Sequence, residues 1–539
     1  MIENTAPKHD SLMKQSAWLM FAKVVGFILS ALLPLLTVRY LAQDKVGLYR
    51  QTFQVITNAA AILPLGFSMS AFYFLNRQPE KRAAAIANIL LFNFITGGLA
   101  CFALFFYPQI LGAIFKSDDM TRLAPLIGVV IWLWIFSMFL EVVALANRET
   151  KLATVFIISA QLTKTILMTG AVILFTTVEA FIYAAMIQAA VQIPILLVYL
   201  NSRFPRFWTK FNFAFFREQL IYALPFGLAG LLYTSQTDIH NYFVGHKFSA
   251  ADYAIYTTGC FELPLMGMLY ESFSAVLIPR MSEFESQNKK REMFTTTIDA
   301  MRRLAFAYFP LFIFLMIVAD TFITTLFTKN YAASVPIFRV NLLLLPFYCL
   351  MLDPIGRAFP AIGRFLLKVR IVLFFALIAA LYFGLKYFDL RGMIAIVVVA
   401  FAIEKVISTL KISSVLELER KDFRLLETVG KTAIAAATAG IFLFVFYWFA
   451  RDSMLEICLN FSHAVLAFFK VEKAAEVVGG GLFLGICFAL FAAIYLPAAN
   501  YFGVISADDK AKLANFFNKL TRRRGDKKLN LKLEISKQK

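Results

Sequence analysis

Long apolar runs separated by short polar links make up most of the chain. A membrane-spanning helix needs about 20 consecutive, largely apolar residues, and fourteen stretches have this character. They lie at residues 16–41, 50–74, 84–113, 123–146, 152–175, 179–200, 219–244, 251–278, 304–327, 336–356, 366–386, 392–414, 428–449 and 478–499. The pattern predicts an all-α integral membrane protein with fourteen transmembrane helices.

Positive charges fall mainly on alternate links between these spans. With the N-terminus inside, 37 of the 53 Lys and Arg residues lie in the inner links and tails, and 11 lie on the outer side. Short loops rich in Lys and Arg remain on the cytoplasmic side of a membrane. The distribution predicts that both termini face the cytoplasm, which requires an even number of spans.

Composition agrees with a membrane protein. The chain is 60% hydrophobic and 16% charged, with a mean hydropathy of +0.71, which is too apolar for an ordinary soluble domain. The net charge of +19 follows the topology, so we expect no nucleic acid binding. The polar start MIENTAPKHDSLMKQ precedes a full-length span and predicts no cleavable signal peptide.

Sequence motifs for chemistry are missing. The sequence has no phosphate-binding Gly-Lys-Ser/Thr loop, no HExxH and no Gly-x-Ser-x-Gly. The five cysteines lie far apart in apolar settings and show no metal-binding spacing. We therefore expect no enzymatic activity, no organic cofactor and no metal site.

A weak internal repeat divides the chain. Span 1 leads into VRYLAQDKVGLYRQTFQ and span 7 into NYFVGHKFSAADYAIYTTG, and each has a small residue two positions before a tyrosine, Tyr49 or Tyr256. A second pair, IFKSDDMTRLAP and LFTKNYAASVP, recurs at an offset of 212 residues, close to the first offset of 207. Six spans per repeat make the two repeats parallel, related by an axis along the membrane normal.

The repeat predicts four regions. Residues 1–200 form an N-lobe of helices 1–6, and residues 201–415 form a C-lobe of helices 7–12. Residues 416–503 add helices 13 and 14, with an amphipathic segment at 451–477 that we expect on the outer surface. Residues 504–539 form a basic cytoplasmic tail, which is either solvated or placed against anionic lipid headgroups.

Four cations are candidates for a polar cavity inside the membrane. A charged side chain at this depth costs about 2.5–3.5 kcal/mol on insertion scales and usually faces an interior or an aqueous cavity. Lys164 lies near the middle of span 5, Lys23 two turns into span 1, and Arg39 and Arg339 near outer ends. The alternatives are a helix-packing hydrogen bond for Lys164, snorkelling for Lys23, and interfacial positions for the two arginines.

Three acids form a second set of candidates. Asp238, Glu262 and Glu404 lie deep within predicted spans. They could bind a coupling ion or offset the charge of the cations. Pro264 follows Glu262 and predicts a kink in span 8, because proline breaks the helical hydrogen-bond ladder.

A polar stripe runs along span 7. In the stretch YTSQTDIHNYFVG, helical spacing places Thr234, Ser235 and Tyr242 on the same face as Asp238. Such a stripe is not suited to lipid. It predicts either the wall of a water-filled vestibule or a polar contact that holds the lobes together.

Four further charged residues lie closer to the cytoplasmic ends of spans. Glu141 and Glu271 are candidates for gate contacts or simple interface positions. Asp353 and Arg357 are spaced i,i+4, which predicts a local ion pair near the inner end of span 10.

Four stretches resemble a known group of membrane transporters. They are RYLAQDKVGLYR after span 1, LPLGFSMSAFYFLNR at the end of span 2, YALPFGLAGLLYTSQTDIHNYFVG in span 7 and FTKNYAASVPIFRVNLL at the start of span 10. Together they resemble the polysaccharide-exporter branch of the multidrug/oligosaccharidyl-lipid/polysaccharide (MOP) superfamily, which includes Wzx-type flippases. The resemblance covers most of residues 12–503.

The resemblance implies a substrate and a mechanism. The substrate would be an isoprenoid diphosphate carrying an oligosaccharide, moved from the inner to the outer leaflet of a bacterial inner membrane for surface polysaccharide biosynthesis. Two six-helix lobes would alternate access, and a cationic cavity led by Lys164 would receive the diphosphate. The coupling ion would be H⁺ or Na⁺, and membrane lipids and a polysaccharide polymerase would be partners.

Related and unrelated functions stay open at this point. Lipid II flippases also have fourteen spans, whereas cation-coupled MATE drug exporters usually have twelve, so spans 13 and 14 weigh against a MATE-like exporter. A membrane-embedded sugar transferase or polymerase is the alternative from another class. Such enzymes usually carry catalytic acids on large external loops, and the links here are short.

Overall fold

The computed structural model describes residues 12–419, 421–468 and 474–505, which contain helices and turns and no strand. The α-helices of this part are α1 Leu12–Tyr40, α2 Gln43–Ile62, α3 Ala71–Arg77, α4 Arg82–Phe106, α5 Gln109–Phe115, α6 Asp118–Ser137, α7 Phe139–Ala146, α8 Thr150–Leu174, α9 Val178–Arg203, α10 Phe213–Lys247, α11 Ala250–Gly259, α12 Pro264–Ser286, α13 Lys290–Phe327, α14 Val335–Leu342, α15 Leu344–Phe347, α16 Asp353–Ala358, α17 Pro360–Tyr387, α18 Leu390–Val415, α19 Glu427–Phe468 and α20 Ala475–Tyr501. Short 3₁₀ helices lie at Phe67–Ser70, Pro79–Lys81, Phe207–Thr209, Lys329–Ser334 and Asp422–Leu426.

Many of these helices can cross a membrane. Within the described residues, ten helical stretches are long and apolar enough, or eleven if the bent pair Gln43–Ile62 and Phe67–Arg77 is one span. All eleven coincide with predicted spans. The prediction of an all-helical, multi-pass membrane protein is therefore confirmed, while the count of fourteen and the orientation stay predictions.

The three remaining predicted spans are helical but polar or broken. Predicted span 7 is α10, a 35-residue helix that carries Asp238 and His240. Predicted span 8 is interrupted between Gly259, where α11 ends, and Pro264, where α12 begins, as the proline predicts. Predicted span 10 is divided among α14, α15 and α16. Broken backbone at membrane depth is tolerated where protein covers it or where it lines a cavity.

The C-terminal part differs from the sequence prediction. Helix α19 has 42 residues and runs on past the predicted span at 428–449, so residues 451–468 of the predicted outer segment continue this helix instead of forming a separate one. No glycine or proline interrupts the sequence from Ile441 to Phe468. At 1.5 Å per residue, α19 is about 63 Å long. The basic tail beyond residue 505 lies outside the described residues.

Contacts between Cα atoms divide the chain into two compact units. The first unit is Met1–Pro264, Ile323–Asn341 and Leu367–Glu404, and the second is Leu265–Phe322, Leu342–Leu366 and Lys405–Lys539. Helices α10, α11 and α17 therefore pack with the first six predicted spans. The predicted division at residue 200 marks the sequence repeat, whereas the contacts follow the packing of α10.

Helix α10 packs along the N-terminal helices of the first unit. Near its start, the rings of Tyr222 and Tyr73 stack with centroids 4.5 Å apart. Farther along, a Cβ atom on Gly227 would lie 2.0 Å from the carbonyl oxygen of Leu65. Because a side chain larger than hydrogen cannot fit there, glycine allows the two backbones to touch. This packing positions the polar outer half of α10 against α2.

The two repeats share structural details. The α1–α2 and α10–α11 hairpins are each closed by a link of two residues. Lys116 and Thr328, 212 residues apart, follow α5 and α13 and have positive φ values of 46° and 72°. Positive φ is uncommon for residues other than glycine. The shared positions support the predicted internal repeat.

Candidate functional site

A row of polar side chains joins α2 to the half of α10 that the charge pattern places outside. We call it the polar seam, and its residues are Gln51, Gln54, Asn58, Asp238, Asn241 and Tyr242. Gln54 donates from Nε2 to Asp238 Oδ2 over 3.0 Å. Asn58 donates from Nδ2 to the Tyr242 hydroxyl over 3.2 Å. Spacings of three and four residues place each set on one helix face.

The seam accounts for part of the polar stripe predicted on span 7. Asp238 and Tyr242 contact α2, whereas Thr234 and Ser235 are half-buried. His240 is buried, and its Nδ1 lies 2.8 Å from the Tyr256 hydroxyl of α11. Of the two predicted roles, the geometry favours a polar contact between α10 and the N-terminal helices.

Arg50, which the sequence analysis did not single out, lies next to the seam on α2. Its Nη1 donates to the carbonyl of Ala254 over 2.9 Å and to the hydroxyls of Thr257 and Thr258 over 2.8 and 2.7 Å. These acceptors lie near the C-terminal end of α11, where a cation is favourable. Its spacing of four residues from Gln54 was the available signal, because both lie on the polar face of an apolar span.

Small residues bring the same helices into direct contact. A Cβ atom on Gly47 would lie 1.7 Å from the carbonyl oxygen of Ala250, at the start of α11. A Cβ atom on Gly245 would lie 2.8 Å from the ring of Phe115. The α2–α11 contact and the polar seam therefore close the outer ends of these helices onto each other.

Arg39 binds backbone carbonyls at the end of another helix. It donates to the carbonyls of Thr325 and Leu326, each over 2.8 Å, and to that of Leu35 over 2.7 Å. Thr325 and Leu326 are near the last residues of α13, where carbonyls lack helical partners. This geometry gives Arg39 a helix-capping contact in place of the cavity position that the sequence predicted.

Lys164 points into the N-terminal helices. It is half-buried on α8, and its Nζ lies 4.8 Å from the centre of the Trp134 ring. Trp134 is 6% exposed and packs on Phe53 of α2, so the ammonium group faces the interior. Within the described part of the chain, no carboxylate forms an ion pair with it. The cation–π contact supplies only part of the stabilisation that a desolvated charge requires.

The other two predicted cavity cations are less informative. Arg339 is exposed on α14. Lys23 lies in α1, but its side chain is outside the described part of the structure. Lys164 is therefore the predicted cavity cation that the structure places in an interior.

Glu404 is paired with a cation. Arg370 on α17 donates from Nε to Glu404 Oε1 over 2.9 Å, and Gln236 on α10 donates to Glu404 Oε2, also over 2.9 Å. The side chains of Arg370 and Glu404 are 35% and 12% exposed. The carboxylate thus has an internal counter-charge, which makes a second cation at this position less favourable. Glu262 is exposed in the break between α11 and α12.

Replacing Arg370 with methionine is expected to lower the free energy of unfolding by about 2–3 kcal/mol, because it leaves the Glu404 carboxylate buried without a counter-charge. Combining it with Glu404→Gln should recover much of that loss. Thermal melting of the purified variants measures both. Lys431→Met, which breaks the exposed Lys431–Glu427 pair, is the control and should change stability by less than about 1 kcal/mol. A double variant as unstable as Arg370→Met would contradict the pairing.

The four predicted gate residues do not form one cluster. Glu141 is half-buried on α7, and Glu271 is exposed on α12. Asp353 accepts a hydrogen bond from the Tyr270 hydroxyl over 2.8 Å, while Arg357 is exposed. The predicted ion pair between Asp353 and Arg357 is therefore wrong: the carboxylate takes a tyrosine donor from α12.

The chain is similar to one protein family and to several solved transporters. Residues 65–336 match a family described as polysaccharide biosynthesis protein. No protein of curated function matches the sequence at a significant level.

The similar structures share the fold at low sequence identity. The lipid II flippase MurJ in an inward closed conformation has a TM-score of 0.63 at 14% identity, covering 91% of this chain and 99% of its own. An inward-facing multidrug resistance MATE family transporter of the MOP superfamily has a TM-score of 0.59 at 15% identity, covering 72% and 94%. A MOP superfamily transporter from Pyrococcus furiosus has a TM-score of 0.53 at 15% identity, covering 75% and 96%.

Proposed function

Because this chain belongs to the polysaccharide biosynthesis protein family, we propose that it is a flippase for a lipid-linked oligosaccharide. The substrate is an isoprenoid diphosphate carrying a sugar unit, which moves from the inner to the outer leaflet of a bacterial inner membrane. A polysaccharide polymerase would then use the product in the outer leaflet. The transporter fold supports this class of function without identifying the sugar.

One observation carries the substrate class: Lys164 is a cation inside the N-terminal helices without an acidic partner among the described residues. An uncompensated charge in a medium of low dielectric attracts an opposite charge far more strongly than it does in water. A diphosphate offers several charged oxygens to an ammonium group. Lys164 would therefore bind the headgroup while the isoprenoid chain stays in lipid.

The contacts of α10 and α11 support alternating access. The outer ends of α2, α10 and α11 meet through hydrogen bonds and glycine contacts, which include Gln54–Asp238 and Gly47–Ala250. Hydrogen bonds can be exchanged for water when helices separate, so the free-energy cost of opening is modest. We infer that release to the outer leaflet requires the α2–α11 contact and the polar seam to open.

Asp238 is the coupling acid that the geometry favours. Its carboxylate accepts a hydrogen bond from Gln54 across the seam, so binding of H⁺ or Na⁺ there would alter the contact that must open. Glu404 is held by Arg370 and is less suited to this role. We propose that an ion at Asp238 weakens the seam.

Lipid II flipping uses the same diphosphate chemistry and is the second candidate. The MurJ structure covers 91% of this chain, whereas the MATE structure covers 72% and leaves more than a quarter unmatched. This difference favours a lipid flippase over a drug exporter.

Transport can be measured with the purified full chain in lipid vesicles. A fluorescent polyprenyl diphosphate oligosaccharide in the inner leaflet should become accessible to an outside quencher faster than in protein-free vesicles. Lipid II serves as the competing substrate and a fluorescent cationic drug as the alternative cargo. Export of the drug without movement of the lipid, or formation of new glycosidic bonds, would refute the proposal.

A further inference from the structure

Unpartnered hydrogen-bond donors surround Arg50. The guanidinium uses Nη1 for its three acceptors on α11, whereas Nε and Nη2 bind no atom of the described residues. The hydroxyls of Tyr253 and Tyr331 are both buried without a hydrogen-bond partner. Three side chains in one place thus have donors with nothing to donate to.

These side chains come from three elements that pack together. Arg50 is on α2, Tyr253 on α11, and Tyr331 in the 3₁₀ helix Lys329–Ser334. Tyr253 is 0% exposed and Tyr331 is 1% exposed. Both hydroxyls lie within electrostatic range of the Arg50 guanidinium. Ser334 donates to the carbonyl of Ile255 over 2.7 Å, which fastens the 3₁₀ helix to α11.

The charge at this place is positive. No carboxylate of the described residues pairs with Arg50, and Asp238 is occupied by Gln54 in the neighbouring seam. A buried donor without a partner costs about 1–3 kcal/mol. Water could accept from the hydroxyls, but it would leave the guanidinium charge unbalanced. An anion would satisfy the donors and the charge together.

We propose that Arg50, Tyr253 and Tyr331 bind a small monovalent anion of the size of chloride. The hydroxyl oxygens have almost no accessible surface, which leaves room for a monatomic ion and excludes a diphosphate headgroup. The site is distinct from Lys164 and does not depend on the proposed substrate.

Such an anion would stabilise the closed outer side. It would join α2, α11 and the 3₁₀ helix, so separating α2 from α11 would take Arg50 away from Tyr253 and dissolve the site. A ligand that binds one state alone shifts the population toward that state. Anion binding would therefore favour the conformation in which the α2–α11 contact is made.

The site can be tested by thermal melting of the purified full chain. At constant ionic strength, exchanging gluconate for chloride or bromide should raise the melting temperature by about 2 °C or more. The double variant Tyr253→Phe/Tyr331→Phe keeps the rings and removes both hydroxyls, so it should lose most of this rise. Tyr495→Phe, which removes a hydroxyl that donates to the Phe306 carbonyl elsewhere, is the control and should keep it.

Three outcomes would overturn the anion site. They are a melting temperature that follows sodium against choline and ignores chloride, a full chloride response in the double phenylalanine variant, and no response in the native protein. Crystals grown in bromide add a direct measurement, since anomalous scattering should show a peak beside Arg50. A bromide-soaked crystal without that peak would also refute the assignment.

Discussion

Replacing Lys164 with alanine is expected to reduce flipping of the polyprenyl diphosphate oligosaccharide roughly tenfold or more. The ammonium group faces the interior at Trp134 without an acidic partner among the described residues. A hydrogen bond to a charged group contributes about 1.5–3 kcal/mol, and each 1.4 kcal/mol is a factor of about ten in binding. Lys164→Glu should abolish transport, because a carboxylate repels the diphosphate. Lys164→Arg keeps the charge and should retain part of the activity.

Transport in vesicles and surface polysaccharide in cells measure this effect. Lys151→Ala is the matched control, since Lys151 is exposed near the start of the same helix, and it should behave like the native protein. The amount of folded protein in the membrane must be equal among the variants. Native polysaccharide levels in the Lys164→Glu variant would remove the proposed role of this lysine.

Replacing Gly47 with alanine is expected to prevent closure of the outer side and to reduce transport by about tenfold. The new Cβ atom would lie 1.7 Å from the Ala250 carbonyl oxygen, so α2 and α11 must move apart. Overpacking of this kind costs about 1–3 kcal/mol, which is enough to shift a two-state equilibrium by a factor of about ten. The hydrogen bonds from Arg50 to α11 should weaken at the same time.

Gly230→Ala is the matched control for this substitution. Gly230 is also a helical glycine of the first unit, but a Cβ atom there meets nothing within 4 Å. Alanine should therefore leave transport unchanged and slightly raise the melting temperature, because glycine is the poorer helix former. Equal flipping rates for Gly47→Ala and the native protein would show that close contact between α2 and α11 is not needed for transport.

The candidate site was only partly predictable from the sequence. Lys164 stands alone in an apolar span, so its depth marks it as unusual whatever its neighbours are. Glu404 also stands out by depth, but its partner Arg370 lies on another helix, and no spacing in the sequence relates the two. Arg39 looks like a cavity cation until the end of α13 is placed beside it. Depth is a property of one helix, whereas pairing depends on two.

The local pattern along the chain determined the helices, the membrane location and the break before Pro264. A bilayer forces each spanning segment to satisfy its own backbone hydrogen bonds, so length and apolarity are sufficient to recognise it. Tertiary structure alone decided that Asp238 meets Gln54, that Arg50 binds the end of α11, and that Tyr253 and Tyr331 lack partners. Those contacts depend on how closely two helices approach. That approach is set by the shapes of both surfaces, such as the bare backbone of Gly47, and not by the apolarity of either helix.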